Sequence, residues 1–379
     1  ITYPPKTDSS APRRRLPGDS LSVAVLVVAL LLALPVLVVT GFVFVPTGDV
    51  WQHLTSTVLP DYVSNSLLLM LGVTIGTLIG GVGSAWLTSM CRFPGRGFFE
   101  WALLLPMAMP AYIIAYTYTG LLDYAGPVQT GLRNRYGWGY GDYYFPEIRS
   151  LGGAVAMLSL VLYPYVYLLT RVAFLEQSTA VLEASRSLGR GPWRTLLSVA
   201  LPAARPAIAA GVSLALMEAL ADYGTVDYFG VSTFTTGIFR TWYGLGELQT
   251  AAQLAAFLLL FVSTLFVLER ISRRRMRYHH SRARSSPRRI QLRGWRALVA
   301  FTAVLAIVLF GFLLPAARLL TWSLTSWRSQ WDQSFIGLVG NSFLLAGLAA
   351  GCCLLIALLL GYGRRLHPGP VETVAVRLS

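Results

Sequence analysis

Residues 63–90 read VSNSLLLMLGVTIGTLIGGVGSAWLTSM, a run without a charged side chain that ends at the basic sequence CRFPGRG (91–97). About 20 apolar residues are enough for a helix to cross the ~30 Å hydrocarbon core of a bilayer. The run therefore predicts a membrane-spanning helix that ends at a positively charged loop.

Similar apolar runs recur along the chain between breaks that are charged or rich in glycine and proline. By length and hydropathy they predict eight membrane helices, at about 22–45, 63–90, 98–121, 151–174, 206–222, 250–268, 297–322 and 341–363. The first run is too long for a cleaved signal peptide, and we interpret it as an anchor helix. The fold class that follows is all-α, a polytopic bundle of transmembrane helices.

Composition supports a bilayer as the natural solvent. Hydrophobic residues make up 55% of the 379-residue chain and charged residues only 13%, against about 25% charged in soluble proteins. The net charge of +14 would suit nucleic acid, but the basic residues lie between the apolar runs. Eleven arginines fall between Arg270 and Arg296, with no carboxylate among them. This pattern indicates cytoplasmic loops beside lipid, and no nucleic-acid partner.

The distribution of Lys and Arg also orients the chain. With the amino terminus in the cytoplasm, 25 of the 31 basic residues fall at the inner side, and the other six are Arg133, Arg135, Arg149, Arg240, Arg318 and Arg328. Because inner loops carry the excess of positive charge, we predict a multi-pass protein of the bacterial inner (plasma) membrane with a cytoplasmic amino terminus.

An internal repeat suggests two similar halves. The sequence starting at Asn65-Ser66 matches the one starting at Asn341-Ser342, and each apolar run ends at a basic loop followed by a glutamate, Glu100 or Glu372. The predicted divisions are a cytoplasmic tail (1–20), a first half (21–268), a basic linker (269–296) and the start of a second half (297–379). Since the chain begins at Ile1 and stops soon after a basic loop, we expect a fragment.

Residues 179–202, TAVLEASRSLGRGPWRTLLSVALP, predict a helix-turn-helix at the inner face. The first helix is expected to stop at Gly189, because glycine suits the left-handed turn after a helix. Pro192 fits the first turn of the second helix. The periodicity of that second helix places four apolar residues on one face: Trp193, Leu196, Leu197 and Ala200.

This segment has the chemistry of a docking surface. The small side chains of Ala184 and Ser185 allow another protein to approach the backbone closely. Glu183 and the nearby Arg186 and Arg190 offer charge-assisted hydrogen bonds around that contact. The pattern therefore predicts a contact with a cytoplasmic partner.

The spacing E-A-(A/S)-x3-G-x9-(I/V)-x-L-P over residues 183–202 is similar to the EAA loop of binding-protein-dependent ABC importers. The resemblance implies a permease of the type I ABC importer kind, in which this loop is the coupling helix that contacts a separate ATP-binding subunit. It assigns the contact to Glu183, Ala184, Ser185 and Gly189. It also implies that Leu201 and Pro202 set the angle of the following helix.

Catalytic motifs are missing from the sequence. The only lysine is Lys6, so a G-x-x-x-x-G-K-(S/T) phosphate loop cannot be built, and neither G-x-S-x-G nor H-E-x-x-H occurs. We predict no enzymatic activity, no cofactor and no metal centre. The resemblance implies that a cytoplasmic ABC ATP-binding subunit hydrolyses ATP and that a periplasmic or extracellular solute-binding protein delivers the substrate.

The stretch EALADYGTVDYFGVSTFTTGIFRTWYGLGE (218–247), together with two halves on one chain, resembles the iron(III) permeases of bacteria. The implied substrate is ferric iron. Related permeases carry thiamine, sulfate, molybdate, polyamines or phosphonates, and these alternatives stay open at this point.

Two acidic residues in this stretch are candidates for the translocation path. Glu218 and Asp222 are one helical turn apart, so both carboxylates share a face, and an ionisable residue inside a membrane is a functional candidate. Carboxylate oxygens suit a hard cation, and Tyr223 follows directly. The alternatives are that Glu218 holds two helices together and that Asp222 caps the outer helix end. The aromatic residues at 223–243 form either an outer vestibule or an interfacial belt.

Two competing functions remain to be weighed. A secondary transporter would use broken helices and an ion gradient, but the EAA spacing and the missing inverted repeat argue against it. A membrane-anchored lipid-binding or nucleic-acid-binding protein would use the basic segment 270–289 as its working surface.

Overall fold

The computed structural model describes residues 20–45, 48–139, 141–177, 185, 187–189, 191–274, 289–330 and 333–366. Most of the basic segment 270–289 lies outside these ranges, so its predicted role stays a prediction. The regular secondary structure of the described part is helical apart from one pair of two-residue strands, and short loops connect the helices. The predicted all-α bundle is confirmed.

Helices follow one another along the chain with the bounds α1 (Ser20–Gly41), α2 (Gly48–Thr57), α3 (Leu59–Met90), α4 (Arg96–Ala102), α5 (Ala111–Leu122), α6 (Pro127–Tyr136), α7 (Leu151–Glu176), α8 (Pro192–Thr195), α9 (Leu201–Ala221), α10 (Gly224–Tyr228), α11 (Phe234–Phe239), α12 (Leu248–Arg274), α13 (Trp295–Val308), α14 (Leu314–Gln330) and α15 (Gln333–Leu366). Short 3₁₀ turns occupy Phe42–Phe44 and Leu105–Ala108. Wider π-helical turns occupy Leu196–Ala200, Arg240–Gly244 and Leu309–Leu313.

The chain divides into two compact units. One contains α1 and the described residues from 326 onward, and Val25 and Ala29 of α1 pack there against Leu360 of α15. The other contains residues 43–325 and holds both candidate sites.

Among the described residues, seven helices are long and apolar enough to cross a membrane, and the number rises to eight if one bent pair is counted as a single span. The prediction of eight spans agrees with the second count. The prediction of one continuous helix at 98–121 was wrong. The chain bends by 91° between Arg96–Ala108, which contains α4 and the 3₁₀ turn, and Ala111–Tyr136, which begins with α5. Pro110 lies at the bend and has no amide hydrogen to continue a helix.

Helix α7 lies at the centre of the larger unit, packed between α3 and α9. A methyl group added at Gly81 of α3 would lie 2.6 Å from Val166 Cβ, and one added at Gly211 of α9 would lie 2.7 Å from Val166 Cα. Both neighbours therefore approach α7 at the same turn, and only glycine allows that distance.

A short parallel ladder connects two distant parts of the larger unit. Strand β1 (Cys91–Arg92) follows α3, and strand β2 (Ile290–Gln291) precedes α13. The amide of Leu292 donates to the carbonyl of Arg92 at 3.0 Å. The ladder fixes the segment before α13 beside the basic loop after α3.

We expect Gly81→Ala to lower the free energy of unfolding by about 1–3 kcal/mol, since the new methyl overlaps the α7 backbone. Gly83→Ala is the matched control, because a methyl there meets no atom of the described residues within 4 Å. Thermal unfolding of the purified protein in detergent measures both. Equal midpoints for the two variants would contradict the close approach at α7.

Candidate functional site

The segment predicted to dock a partner is described in part. Glu183 and Ala184 lie outside the described residues, whereas Ser185, Gly189, Leu201 and Pro202 lie inside them. Gly189 has φ +75°, the left-handed conformation that its position after a helix predicts.

Ser185 lies inside the segment rather than on its surface. Its side chain is buried, and its hydroxyl lies 3.2 Å from the hydroxyl of Thr195, which is also buried. This hydrogen bond joins the residues before the turn at Gly189 to helix α8. Ser185 thus holds the shape of the segment.

The four apolar residues that were predicted to share one helix face lie on two different faces. Leu196 and Ala200 are buried, whereas Trp193 and Leu197 are 70% and 64% exposed. A π-helical turn occupies Leu196–Ala200, and the amide of Leu201 there donates to the carbonyl of Leu196, five residues back.

The same turn makes α8 and α9 continuous, so the second arm of the predicted helix-turn-helix is the beginning of the next membrane span. Pro202 stands just after the π-helical turn and lacks an amide hydrogen. Among the described residues of this segment, three large apolar side chains are exposed around the turn at Gly189, and because a partner contact is predicted here we call them the docking surface: Leu188 (80%), Trp193 and Leu197.

A cavity of about 260 Å³ opens where the bent span breaks. Glu218 and Asp222 both line it, together with Met107, Met109, Pro110, Ala111, Tyr112, Leu158, Val161, Leu162, Tyr165 and Ala221. The structure therefore brings the two predicted carboxylates together and adds two tyrosines and two methionine sulfurs.

The cavity is acidic, since the described residues that line it include two carboxylates and neither Lys, Arg nor His. Carboxylate and phenol oxygens are the ligands that hard cations prefer. Within the described residues no group of three or more His, Cys, Asp and Glu is placed to hold a metal ion. The arrangement therefore suits a cationic ligand better than an anionic one.

The two carboxylates differ in their bonding. Asp222 accepts hydrogen bonds from the Thr225 amide at 2.9 Å, the Thr225 hydroxyl at 3.0 Å and the Val226 amide at 3.3 Å. It therefore caps the start of α10, the short helix that follows, rather than the outer end of α9. Glu218 accepts no hydrogen bond from the described residues, which leaves its carboxylate available to a ligand in the cavity.

Tyr223 does not line the cavity. Its ring stacks on Phe239 at 4.1 Å, and the stack continues through Tyr243 at 5.8 Å to Trp242 at 4.7 Å. Two other aromatic residues of this stretch, Phe229 and Phe234, are buried. The predicted aromatic cluster thus divides into a stacked row and core residues.

Sequence reasoning missed the other wall of the cavity. Tyr112 and the two methionines come from LPMAMPAY (105–112), in which Pro106 and Pro110 interrupt an apolar run. Proline-interrupted spans often line binding sites in transporters, so the two prolines were the available signal. Tyr165 of α7 had no signal in the sequence, because only packing places it opposite Glu218.

A family model described as "Binding-protein-dependent transport system inner membrane component" matches residues 72–278. The Fe(3+)-transport system permease protein FbpB 2 of Haemophilus influenzae is 28% identical over 304 residues, which cover 79% of this chain and 55% of that protein. The chain thus spans about half the length of this relative.

Shorter matches name other substrates. The sulfate transport system permease protein CysT of Escherichia coli is 28% identical over 225 residues, covering 56% of this chain and 76% of that protein. The molybdenum transport system permease protein ModB of Escherichia coli is 28% identical over 149 residues, covering 39% and 62%. Similar identities to permeases with different substrates leave the substrate open.

The fold is shared with a chain in the crystal structure of a bacterial alginate ABC transporter in complex with an alginate pentasaccharide-bound periplasmic protein. The TM-score is 0.53 at 17% identity, and the match covers 67% of this chain and 94% of that chain. The helix bundle is therefore of the ABC importer permease kind.

We expect Asp222→Ala to destabilise the protein by about 1–3 kcal/mol, because the amides of Thr225 and Val226 lose their acceptor. Asp222→Asn keeps one carbonyl oxygen as an acceptor and is expected to lose less. Thermal unfolding in detergent compares the two variants. Identical midpoints for Asp222→Ala and the unmodified protein would rule out the capping role.

Proposed function

Because the chain belongs to the family of binding-protein-dependent transport system inner membrane components, we propose that it is the permease subunit of an ABC importer. The observation that carries the proposal is the acidic cavity at the break of a membrane span. Irregular backbone at membrane depth is tolerated where it lines a cavity, and such breaks are typical of substrate paths.

A separate subunit supplies the energy in this proposal. The sequence lacks a phosphate-binding loop, so the permease hydrolyses no ATP itself. The docking surface offers the contact: Leu188 and Trp193 are large, apolar and exposed, and aromatic anchors of this kind dominate protein interfaces. Glu183, Ala184 and Gly189 belong to this contact by the resemblance of the EAA spacing.

The orientation of the chain in the membrane follows from the distribution of its basic residues. With a cytoplasmic amino terminus, the basic loop after α3 and the docking surface both face the cytoplasm, where the ATP-binding subunit resides. The opposite side then faces a periplasmic or extracellular solute-binding protein. The crystallised alginate transporter is in complex with such a periplasmic protein, which supports this arrangement.

Ferric iron is the substrate that the cavity favours. A match that covers 79% of this chain is to an Fe(3+) permease. Among the described residues, the cavity lining has two carboxylates and no basic residue, which attracts a cation and repels an oxyanion. This argues against sulfate and molybdate. Thiamine stays a second candidate, because it is also a cation and Tyr112 and Tyr165 offer aromatic faces to it.

We expect Glu218→Gln to lower iron uptake at least about tenfold, equivalent to ~1.4 kcal/mol, because the available carboxylate loses its charge. Glu247→Gln is the matched control, since Glu247 is exposed and lies outside the cavity lining. Radioactive ferric iron uptake is measured in proteoliposomes that hold the assembled transporter, with and without excess thiamine.

Unchanged uptake in Glu218→Gln would remove the cavity from the translocation path. Iron uptake that thiamine abolishes, together with direct uptake of labelled thiamine, would reassign the substrate while leaving the permease function in place.

The contact with the ATP-binding subunit has its own test at Gly189. Replacement by alanine forces a residue with a Cβ into the left-handed conformation at a cost of about 1–2 kcal/mol. Asparagine tolerates that conformation and serves as the control. A methyl at Gly189 meets no atom of the described residues within 4 Å, so the expected effect comes from backbone conformation.

We expect less ATP-binding subunit to copurify with tagged Gly189→Ala than with Gly189→Asn, as quantified by mass spectrometry. Equal amounts in both variants would show that the turn geometry does not support docking.

A further inference from the structure

Three side chains on one face of α7 bind the short helix α4. The hydroxyl of Tyr163 donates to the carbonyl of Leu103 at 2.7 Å, and the hydroxyl of Tyr167 donates to the carbonyl of Glu100 at 3.2 Å. Arg171 Nη2 lies 2.9 Å from Glu100 Oε2. Because they recur every four residues, these three side chains point the same way. We call Tyr163, Tyr167 and Arg171 the α7 polar row.

The row meets a need created by the break in the span. Helix α4 ends at Ala102, and the amide of Leu104 donates to Trp101 rather than to Glu100, so the carbonyl of Glu100 lacks a helical partner. A backbone carbonyl in the hydrocarbon core has no water to bind and must be satisfied by the protein. The hydroxyl of Tyr167 is the donor to the Glu100 carbonyl, and the hydroxyl of Tyr163 is the donor to the carbonyl of Leu103. Both tyrosines are buried.

Glu100 extends the connection to α3. Its carboxylate also pairs with Arg96, whose guanidinium donates to the carbonyl of Thr88 at 2.8 Å. Two ion pairs of this carboxylate and the hydrogen bond of Arg96 therefore connect the last turn of α3, helix α4 and the end of α7. Contacts in which one partner is charged are stronger than those between neutral groups.

The row lies between the two candidate sites. Arg171 is close to the end of α7, after which the chain enters the segment that contains the docking surface. In the other direction, α4 leads through its 3₁₀ turn to Met107, Met109 and Pro110, which line the acidic cavity. A displacement at the end of α7 thus reaches the cavity wall through α4.

We propose that the α7 polar row transmits the movement of the docked ATP-binding subunit to the cavity, with Tyr163, Tyr167 and Arg171 as positioning residues. The inference rests on the proposed permease function. The close approach of Gly81 and Gly211 to Val166, between the two tyrosines, packs α3 and α9 tightly against this part of α7, so a movement of α7 is shared with both neighbours.

A purely structural role of the row would change stability alone, so the test measures the response of the cavity to ATP. Met107→Cys places a thiol on the cavity wall, and its rate of labelling by a charged maleimide is recorded with and without ATP. The assembled transporter, isolated through a tag on this chain, is used. Labelling of the chain without Met107→Cys is subtracted, because Cys352 and Cys353 are exposed.

Two variants of the row carry the test, each in the Met107→Cys background. Tyr167→Phe removes one hydroxyl, and Arg171→Met removes the ion pair with Glu100. Tyr118→Phe is the control for the first, because Tyr118 donates a comparable buried hydrogen bond to the carbonyl of Phe310 at 2.6 Å, away from α4. Arg171→Lys, which keeps the charge, is the control for the second.

We expect the ATP-dependent change in labelling to fall at least about threefold in Tyr167→Phe and Arg171→Met and to persist in both controls, with ATP hydrolysis retained. A full response in the row variants would overturn the inference and leave the permease function intact. If the protein with an unmodified row shows no ATP-dependent change at all, the proposed function fails, and the inference fails with it.

Discussion

In the hydrocarbon core of a membrane, each backbone carbonyl must find a donor within the protein. The break of the third span between α4 and α5 places this constraint on the larger unit, because the end of a half-helix exposes carbonyls that the next turn does not use. The hydroxyls of Tyr163 and Tyr167 satisfy two of them. The chain that leaves these carbonyls continues through the 3₁₀ turn to Met107, Met109 and Pro110, which line the cavity.

The packing of α7 makes that solution stable. Glycines of α3 and α9 let both helices approach the α7 backbone at Val166. Because a bilayer provides no hydrophobic driving force between helices, van der Waals contact at this short distance stabilises the packing instead. Polar side chains on one face of α7 then bind α4, while Leu158, Val161, Leu162 and Tyr165 line the cavity. One helix thereby serves as scaffold, hydrogen-bond donor and cavity wall.

The two acidic residues of the cavity illustrate how neighbouring carboxylates can have different roles. Asp222 follows the last residue of α9, where the free amides of the next short helix bind it. Glu218 is one turn earlier, on the helix itself, where the neighbouring amides already bond within the helix. The carboxylate of Asp222 therefore stabilises the start of α10, whereas the carboxylate of Glu218 is left available to a ligand.

The sequence by itself determined the membrane class, the number and approximate positions of the spans and the left-handed turn at Gly189, because apolar length and glycine preference are local properties. The spacing of residues 183–202 indicated the permease family for the same reason. Only the tertiary structure decided that the third span is bent, that Ser185 faces inward and that Tyr165 lies opposite Glu218. These features depend on which helices meet, and a single sequence carries no periodic signal for contacts between residues that are distant along the chain.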